Sequence, residues 1–287
     1  MKIINKTILK SGIDIAKSTK AKVIFLFIDA LDEWILPEKL PKGCEIVLIT
    51  QKPEELDEFE STIKKIISIP KINLGRTGLI KLSLALALSQ QLVTDGDRVV
   101  FVFGTTELML LDTILLIEIG KEAELITSKN LSGLSETVKP EVFEHLLSLT
   151  VELANKGREG KPIGTIFVLG DQDRVMQLSK QMIINPFKGY EESERNILNP
   201  GLKETIREFA ALDGAFIVGD DGTLITAGRY LGAAYDEDDV PRGLGSRHIA
   251  AAGITALTNA IAIVISESTG DLRIFKNGKI VMEIEKP

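Results

Sequence analysis

The chain has 287 residues, a formal net charge of −7, and 44% hydrophobic against 26% charged residues, the balance of a water-soluble protein long enough for two ordinary domains. The acidic charge argues against a basic nucleic-acid footprint, and no apolar run reaches the ~18 residues of a membrane-spanning helix. A lone cysteine, Cys44, excludes an internal disulfide and any zinc site built on several thiolates.

The start, MKIINKTILKSGIDIAK, lacks the apolar block of a signal peptide, so the cytoplasm is the expected compartment, with no membrane or nucleic-acid partner. Helix-like spacing follows, with Ile8, Ile13 and Ala16 on one face. KVIFLFID, EIVLITQ from Glu45 and DRVVFVFG from Asp97 are continuous apolar runs, the pattern of strands buried on both faces of a parallel sheet. PEELDEFESTIKKII and RTGLIKLSLALALSQQLV between them read as helices. Residues 1–127 are therefore expected to form a layered α/β domain with a mostly parallel sheet.

Polar and turn-forming residues from Thr127 to Lys139 mark the boundary to a second domain, 128–287. In PEVFEHLLSLTVELANKGREG, residues Phe143, Leu147, Thr150 and Ala154 share a helical face, Gly157 sits near its stop, and His145 is expected on the solvated side. GTIFVLG is a strand and DQDRVMQLSKQMI a helix. A loop with two Asn-Pro pairs and the short helix LKETIREFAAL lead into a hairpin turning at Asp221-Gly222. AIAIVISES, DLRIFK and KIVMEIE are further strands, the last two joined at Asn277-Gly278. The expected architecture is a mixed sheet flanked by helices.

Several stretches carry possible chemistry. In GLGSRHIAAA, Gly243 and Gly245 permit close backbone approach, Ser246 is a good helix N-cap, and the following amides face an anion. Arg247 can grip phosphate oxygens, and His248 can donate to phosphate, bind a metal or move a proton. A capped helix with a surface arginine and a packed histidine is an equal reading of that segment alone. In ALDGAFIV, Asp213 stands at a helix–strand junction, and the small Gly214 and Ala215 leave room for a flat ligand; otherwise Asp213 terminates the helix. Tyr230 and Leu231 offer an apolar cover for a base, while the acidic run 236–239 reads as a solvated loop. ISESTG ends a strand with hydroxyls and an acid, which also suits a plain polar turn. GRTG at 75–78 lacks the spacing of a dinucleotide fingerprint and the lysine of a Walker loop, and reads as a helix start.

The joint order of Asp213-Gly214-Ala215, Tyr230-Leu231, Gly245-Ser246-Arg247-His248, ISESTG and an Asn-Gly hairpin resembles the diadenylate cyclase domain over roughly 128–287. That resemblance implies condensation of two ATP into cyclic di-AMP and two pyrophosphates, with Mn2+ or Mg2+, in at least a homodimer whose active sites meet face to face. It implies Asp213 beside the metal and the attacking ribose 3′-hydroxyl, with Arg247 and His248 on the triphosphate. It further implies Ser246 in place of a family threonine, Ser266 near the phosphates, Tyr230 and Leu231 on adenine, and Gly214, Ala215 and Gly245 lining the substrate. One departure stands out: Ile249 occupies the position of the last arginine in the family's Arg-His-Arg triplet. Loss of that contact implies phosphate binding weaker by roughly ten- to a hundredfold, unless Arg229, Arg242 or Arg273 compensates. It also motivates an alternative, a catalytically silent module that binds or senses ATP or cyclic di-AMP. The first domain resembles the C-terminal α/β domain of pyruvate kinase, which accompanies the cyclase in archaeal-type members.

Overall fold

The computed structural model describes residues 2–31, 37, 39–56, 65–72, 74–121, 138–157, 163–232 and 244–286. The chain divides into two compact units, Met1–Ile126 and Thr127–Pro287, each built on its own sheet.

The first unit contains α1 (Ile3–Thr19), β1 (Val23–Phe27), β2 (Glu45–Thr50), β3 (Ile66–Ser68), α2 (Arg76–Ser89), β4 (Arg98–Thr105) and β5 (Leu110–Glu118). Its strand order is β3-β2-β1-β4-β5, with β5 antiparallel and the other pairs parallel. All of β1 is buried, as its unbroken apolar run demands. Phe25 stacks on Phe101 of the neighbouring strand, ring centres 4.6 Å apart. Gly12 lets α1 lie close on β4, because a Cβ there would come within 2.7 Å of the Val102 side chain. GRTG opens α2, with Gly75 as its N-cap.

Two elements differ from the sequence expectation. Ile66 and Ile67, at the end of an expected helix, instead pair with Leu48 and Ile49 as strand β3. Two adjacent β-branched apolar residues satisfy a sheet edge better than the end of a lysine-rich helix; the middle of that helix, 57–64, lies outside the described residues. LLDTILLIE forms the antiparallel strand β5, which no sequence pattern had marked.

The second unit contains α3 (Pro140–Lys156), β6 (Thr165–Leu169), α4 (Gln172–Gln177), β7 (Ser179–Gln181), α5 (Lys203–Phe209), β8 (Ala215–Val218), β9 (Leu224–Leu231), α6 (Ser246–Leu257), β10 (Ile261–Ile265), β11 (Leu272–Lys276) and β12 (Lys279–Ile284). The strand order is β12-β11-β10-β6-β8-β9-β7. β6 and β8 are parallel and the remaining neighbours antiparallel. This is a mixed sheet flanked by helices. Phe143, Leu147, Thr150 and Ala154 are buried on α3, which begins at Pro140 and is capped by Gly157. His145 is half-buried rather than solvated, and burial lowers its pKa. Asn277 and Gly278 both take positive φ, 51° and 76°, the turn that matches strand twist in a two-residue hairpin.

The helix expected across DQDRVMQLSKQMI ends at Gln177, and residues 179–181 become an edge strand on β9. Buried Arg229 accounts for the switch: its guanidinium donates to the carbonyls of Met176 and Ser179, at 3.0 and 2.7 Å, drawing the chain onto β9. Helix α6 lays Ala251, Ala252 and Ile254 on Val168, Ala262 and Val264 of the sheet. The small residues let its backbone approach closely.

Candidate active site

Three chain segments converge at one end of the second sheet because of its strand register. In the parallel β6–β8 pair Ile166 faces Ala215, so Gly164 and Asp213 stand two positions before those partners. In the antiparallel β6–β10 pair Thr165 faces Ile265, so the turn after β10 returns to the same end.

Asp213 projects from the turn before β8, its side chain 84% exposed. Gly214 fixes that turn. Its φ is +103°, and a Cβ would sit 2.6 Å from the Arg229 amide nitrogen. No other residue type fits both requirements. Ala215 is buried, and Leu231 at the end of β9 is buried beside exposed Tyr230.

Facing them is the start of α6. Gly245 is its N-cap, one position before the expected cap Ser246, which is instead the first helical residue. Glycine at this position takes extended backbone at φ −77°, ψ 174°, and leaves the Ser246 hydroxyl exposed. Arg247 Nη1 donates to Glu267 Oε2 at 2.7 Å, and Nη2 reaches Asp213 Oδ1 at 3.5 Å.

A cleft of about 420 Å³ lies between these segments. It brings together Asp213, Gly214, Ala215, Tyr230, Leu231, Ser246 and Arg247, seven of the residues singled out from sequence. Gly245 flanks it as the helix cap. A larger cavity, about 590 Å³, lies by the turn at 219–223 and the start of α3. It contains none of those residues, so the smaller cleft is the candidate site.

Two predicted residues stand apart. His248 is 6% exposed and faces away from the cleft toward Arg273, with 3.1 Å between Nε2 and Nη1. Burial, reinforced by the Arg273 and Arg247 charges, pushes its pKa down to about 4. Neutral His248 accepts at Nε2 from Arg273 and therefore carries its proton on Nδ1, which is buried at the start of α6. Ser266 is also buried, its hydroxyl 3.2 Å from that of Ser268 in the turn after β10.

Sequence reasoning missed Glu267 and Met182 as cleft residues; Arg229, considered there only as a substitute for the missing arginine, also lines it. The acid within ISESTG was the available signal for Glu267. Of the three basic candidates for replacing the missing triplet arginine, the two among the described residues are both engaged. Arg229 is committed to Met176 and Ser179, and Arg273 pairs with Glu283 and His248. Arg242 lies outside the described residues.

Comparison with known proteins matches residues 152–280 to the family described as DisA bacterial checkpoint controller nucleotide-binding, and residues 5–127 to the one described as probable sensor domain DacZ_P. A diadenylate cyclase of Methanocaldococcus jannaschii is 33% identical, over 99% of this chain and 97% of its own. The chain belongs to the diadenylate cyclase family. A diadenylate cyclase of Haloferax volcanii is 36% identical over 69% of this chain and 72% of its own. Among solved structures, a pyruvate kinase from Cryptosporidium parvum overlaps 41% of this chain and 23% of its own at 19% identity, with a TM-score of 0.32. Among the described residues no helix is long and apolar enough to cross a membrane.

Proposed function

We propose that this diadenylate cyclase family member condenses two ATP into cyclic di-AMP and two pyrophosphates, using the cleft between β8, β9 and the start of α6. The observation that carries this reading is the meeting of a carboxylate, Asp213, and a guanidinium, Arg247, at one cleft with an apolar wall at Tyr230 and Leu231. Adenine packs on Tyr230 and Leu231. Gly214 and Ala215 present little bulk to the ribose. The triphosphate extends to α6, whose first amides lack intrahelical acceptors and whose dipole favours anions. Arg247 adds a charge-assisted grip there.

The reaction joins a ribose 3′-oxygen of one ATP to the α-phosphorus of the other, with pyrophosphate leaving; the same step in the opposite direction closes the ring. Asp213 accepts the 3′-hydroxyl proton. His248, as a neutral imidazole, supports Arg273 and keeps an Nδ1–H donor at the root of α6. Ser266 shapes the turn below the phosphates.

A divalent ion, Mn2+ or Mg2+, fits this donor set. Among the described residues no group of three or more His, Cys, Asp or Glu is arranged as a metal cage. The exposed carboxylate of Asp213 suits an ion that takes its other ligands from triphosphate oxygens and water. Asp213 would hold it, and when bound it neutralises phosphate charge and acidifies the hydroxyl.

One cleft holds one ATP, so each turnover needs two copies facing each other, and two-fold symmetry supplies both attacks with one geometry. Exposed apolar side chains beside the cleft support this: Met182 and Tyr230 are 52% and 58% exposed, and adjacent Ile184 is 92% exposed. Two compact units agree with a separate first domain, 1–127, joined to a cyclase domain, 128–287.

Ile249 favours a second reading, a silent module that binds nucleotide, because the other described arginines near the site are already engaged. Incubation with ATP and Mg2+ or Mn2+ separates the two. Cyclic di-AMP as product supports the cyclase; tight ATP binding with no new product supports the silent module.

A further inference from the structure

Arg247 is a long side chain on the first turn of α6, and a gripping guanidinium is effective only where its direction is set before the ligand arrives. Two features set it. Its Nη1 is held by Glu267 at 2.7 Å, a charge-assisted length, while Nη2 meets Asp213 only at 3.5 Å. Below both lies Gly164, buried just ahead of β6. A Cβ on Gly164 would fall 2.6 Å from Glu267 Cβ, 2.8 Å from Arg247 Nη1 and 3.2 Å from Arg247 Cζ. Gly164 does not adopt positive φ, so its missing side chain serves space and not backbone conformation.

We infer that Gly164 and Glu267 form the seat that positions Arg247 for the triphosphate. This rests on the reading of the cleft as an ATP site. Glu267 is the fixed anchor on Nη1, and Asp213 is the exchangeable partner of Nη2. When phosphate oxygens take Nη2, Asp213 is released to the 3′-hydroxyl, so filling the phosphate site frees the proton acceptor. Glu267 is thus a positioning residue that acts through Arg247.

The test uses the full chain and two readouts: equilibrium binding of a non-hydrolysable ATP analogue, and KM against kcat with ATP. Glu267→Ala and Gly164→Ala are expected to raise Kd and KM about tenfold, with a smaller change in kcat. Glu267→Gln recovers most of the loss, because its amide oxygen still accepts from Nη1. In an Arg247→Ala background, Glu267→Ala adds no further loss, the non-additivity expected of one residue acting through another. Glu267 is exposed, so its variants fold even where the tighter Gly164→Ala does not. Unchanged or lowered Kd and KM in Glu267→Ala, or an equal loss in the Arg247→Ala background, overturns the seat. Wild-type protein that binds no ATP overturns the underlying reading of the cleft, an outcome distinct from normal wild-type binding with an unaffected Glu267→Ala.

Discussion

Arg247 Nη2 and Asp213 Oδ1 approach to 3.5 Å across the cleft although 34 positions separate them in the chain. Asp213 comes from the turn before a strand and Arg247 from the first turn of a helix, so neither element alone makes the contact. The pair sets a carboxylate beside a guanidinium, and the role proposed for each half has its own test.

Asp213→Asn is expected to lower kcat for cyclic di-AMP by about a hundredfold or more, the usual contribution of a general base. ATP affinity should change only a few-fold, because the amide still offers an oxygen to Nη2. With the side chain 84% exposed, the thermal midpoint should stay near that of the wild type. Near-wild-type turnover would remove Asp213 from the chemistry.

Arg247→Ala is expected to weaken ATP binding ten- to a hundredfold, the loss of a charged hydrogen bond where the triplet's last arginine is already replaced by Ile249. Arg247→Lys keeps the charge but not the fork, and should fall between the two. Isothermal titration with an ATP analogue gives all three affinities.

Gly214→Ala forces a Cβ to 2.6 Å from the Arg229 nitrogen at a φ of +103°. A stability loss of at least ~1–3 kcal/mol is expected, together with loss of turnover as Asp213 is displaced. Denaturant unfolding and product formation measured on the same preparation check both effects.

Acid should destabilise the second unit through His248. Its folded-state pKa of about 4 lies below the ~6.5 of an unfolded histidine, so between those values the unfolded chain binds more protons. Stability is therefore full above about pH 6.5 and falls as pH drops toward 4, by at most ~1.4 kcal/mol per unit from this group. Half-buried His145, also shifted down, adds in the same direction. Thermal midpoints from pH 7 to pH 5 should fall, and His248→Gln should flatten the slope without abolishing it.

Dilution tests the two-copy requirement. Specific activity should decline once the protein falls below its dimer dissociation constant. A demonstrably monomeric preparation with undiminished specific activity would contradict paired sites.

Much of the candidate site was legible because its parts are local signatures that the fold brings to one cleft. Asp213-Gly214-Ala215 needs a sharp glycine turn, and Arg247 needs a helix start, both written in adjacent residues. The cap assignment slipped by one, since Ser246 satisfies the usual cap preference while Gly245 takes the extended backbone. The contact of Glu267 with Arg247 was hidden because it depends on a turn folding back beside Gly164, a proximity set by strand register. His248, which the resemblance places on the triphosphate, sits on the inward side of α6 against Arg273 and Phe275, a rotation that the motif alone does not show. In the first unit, β5 escaped notice because LLDTILLIE shows no clean alternation, being buried at Leu111 and Ile117 and exposed at Asp112 and Leu116. Edge strands with one partner carry weaker patterns than central ones such as β1.

The central claim is the reaction itself, and product stoichiometry tests it most directly. Wild-type protein at dimer-forming concentration, supplied with ATP and Mg2+ or Mn2+, should yield two pyrophosphates for each cyclic di-AMP identified by mass, with Asp213→Asn yielding neither. Release of ADP and phosphate in place of these products, or ATP left intact under conditions where the protein binds it, would contradict the account.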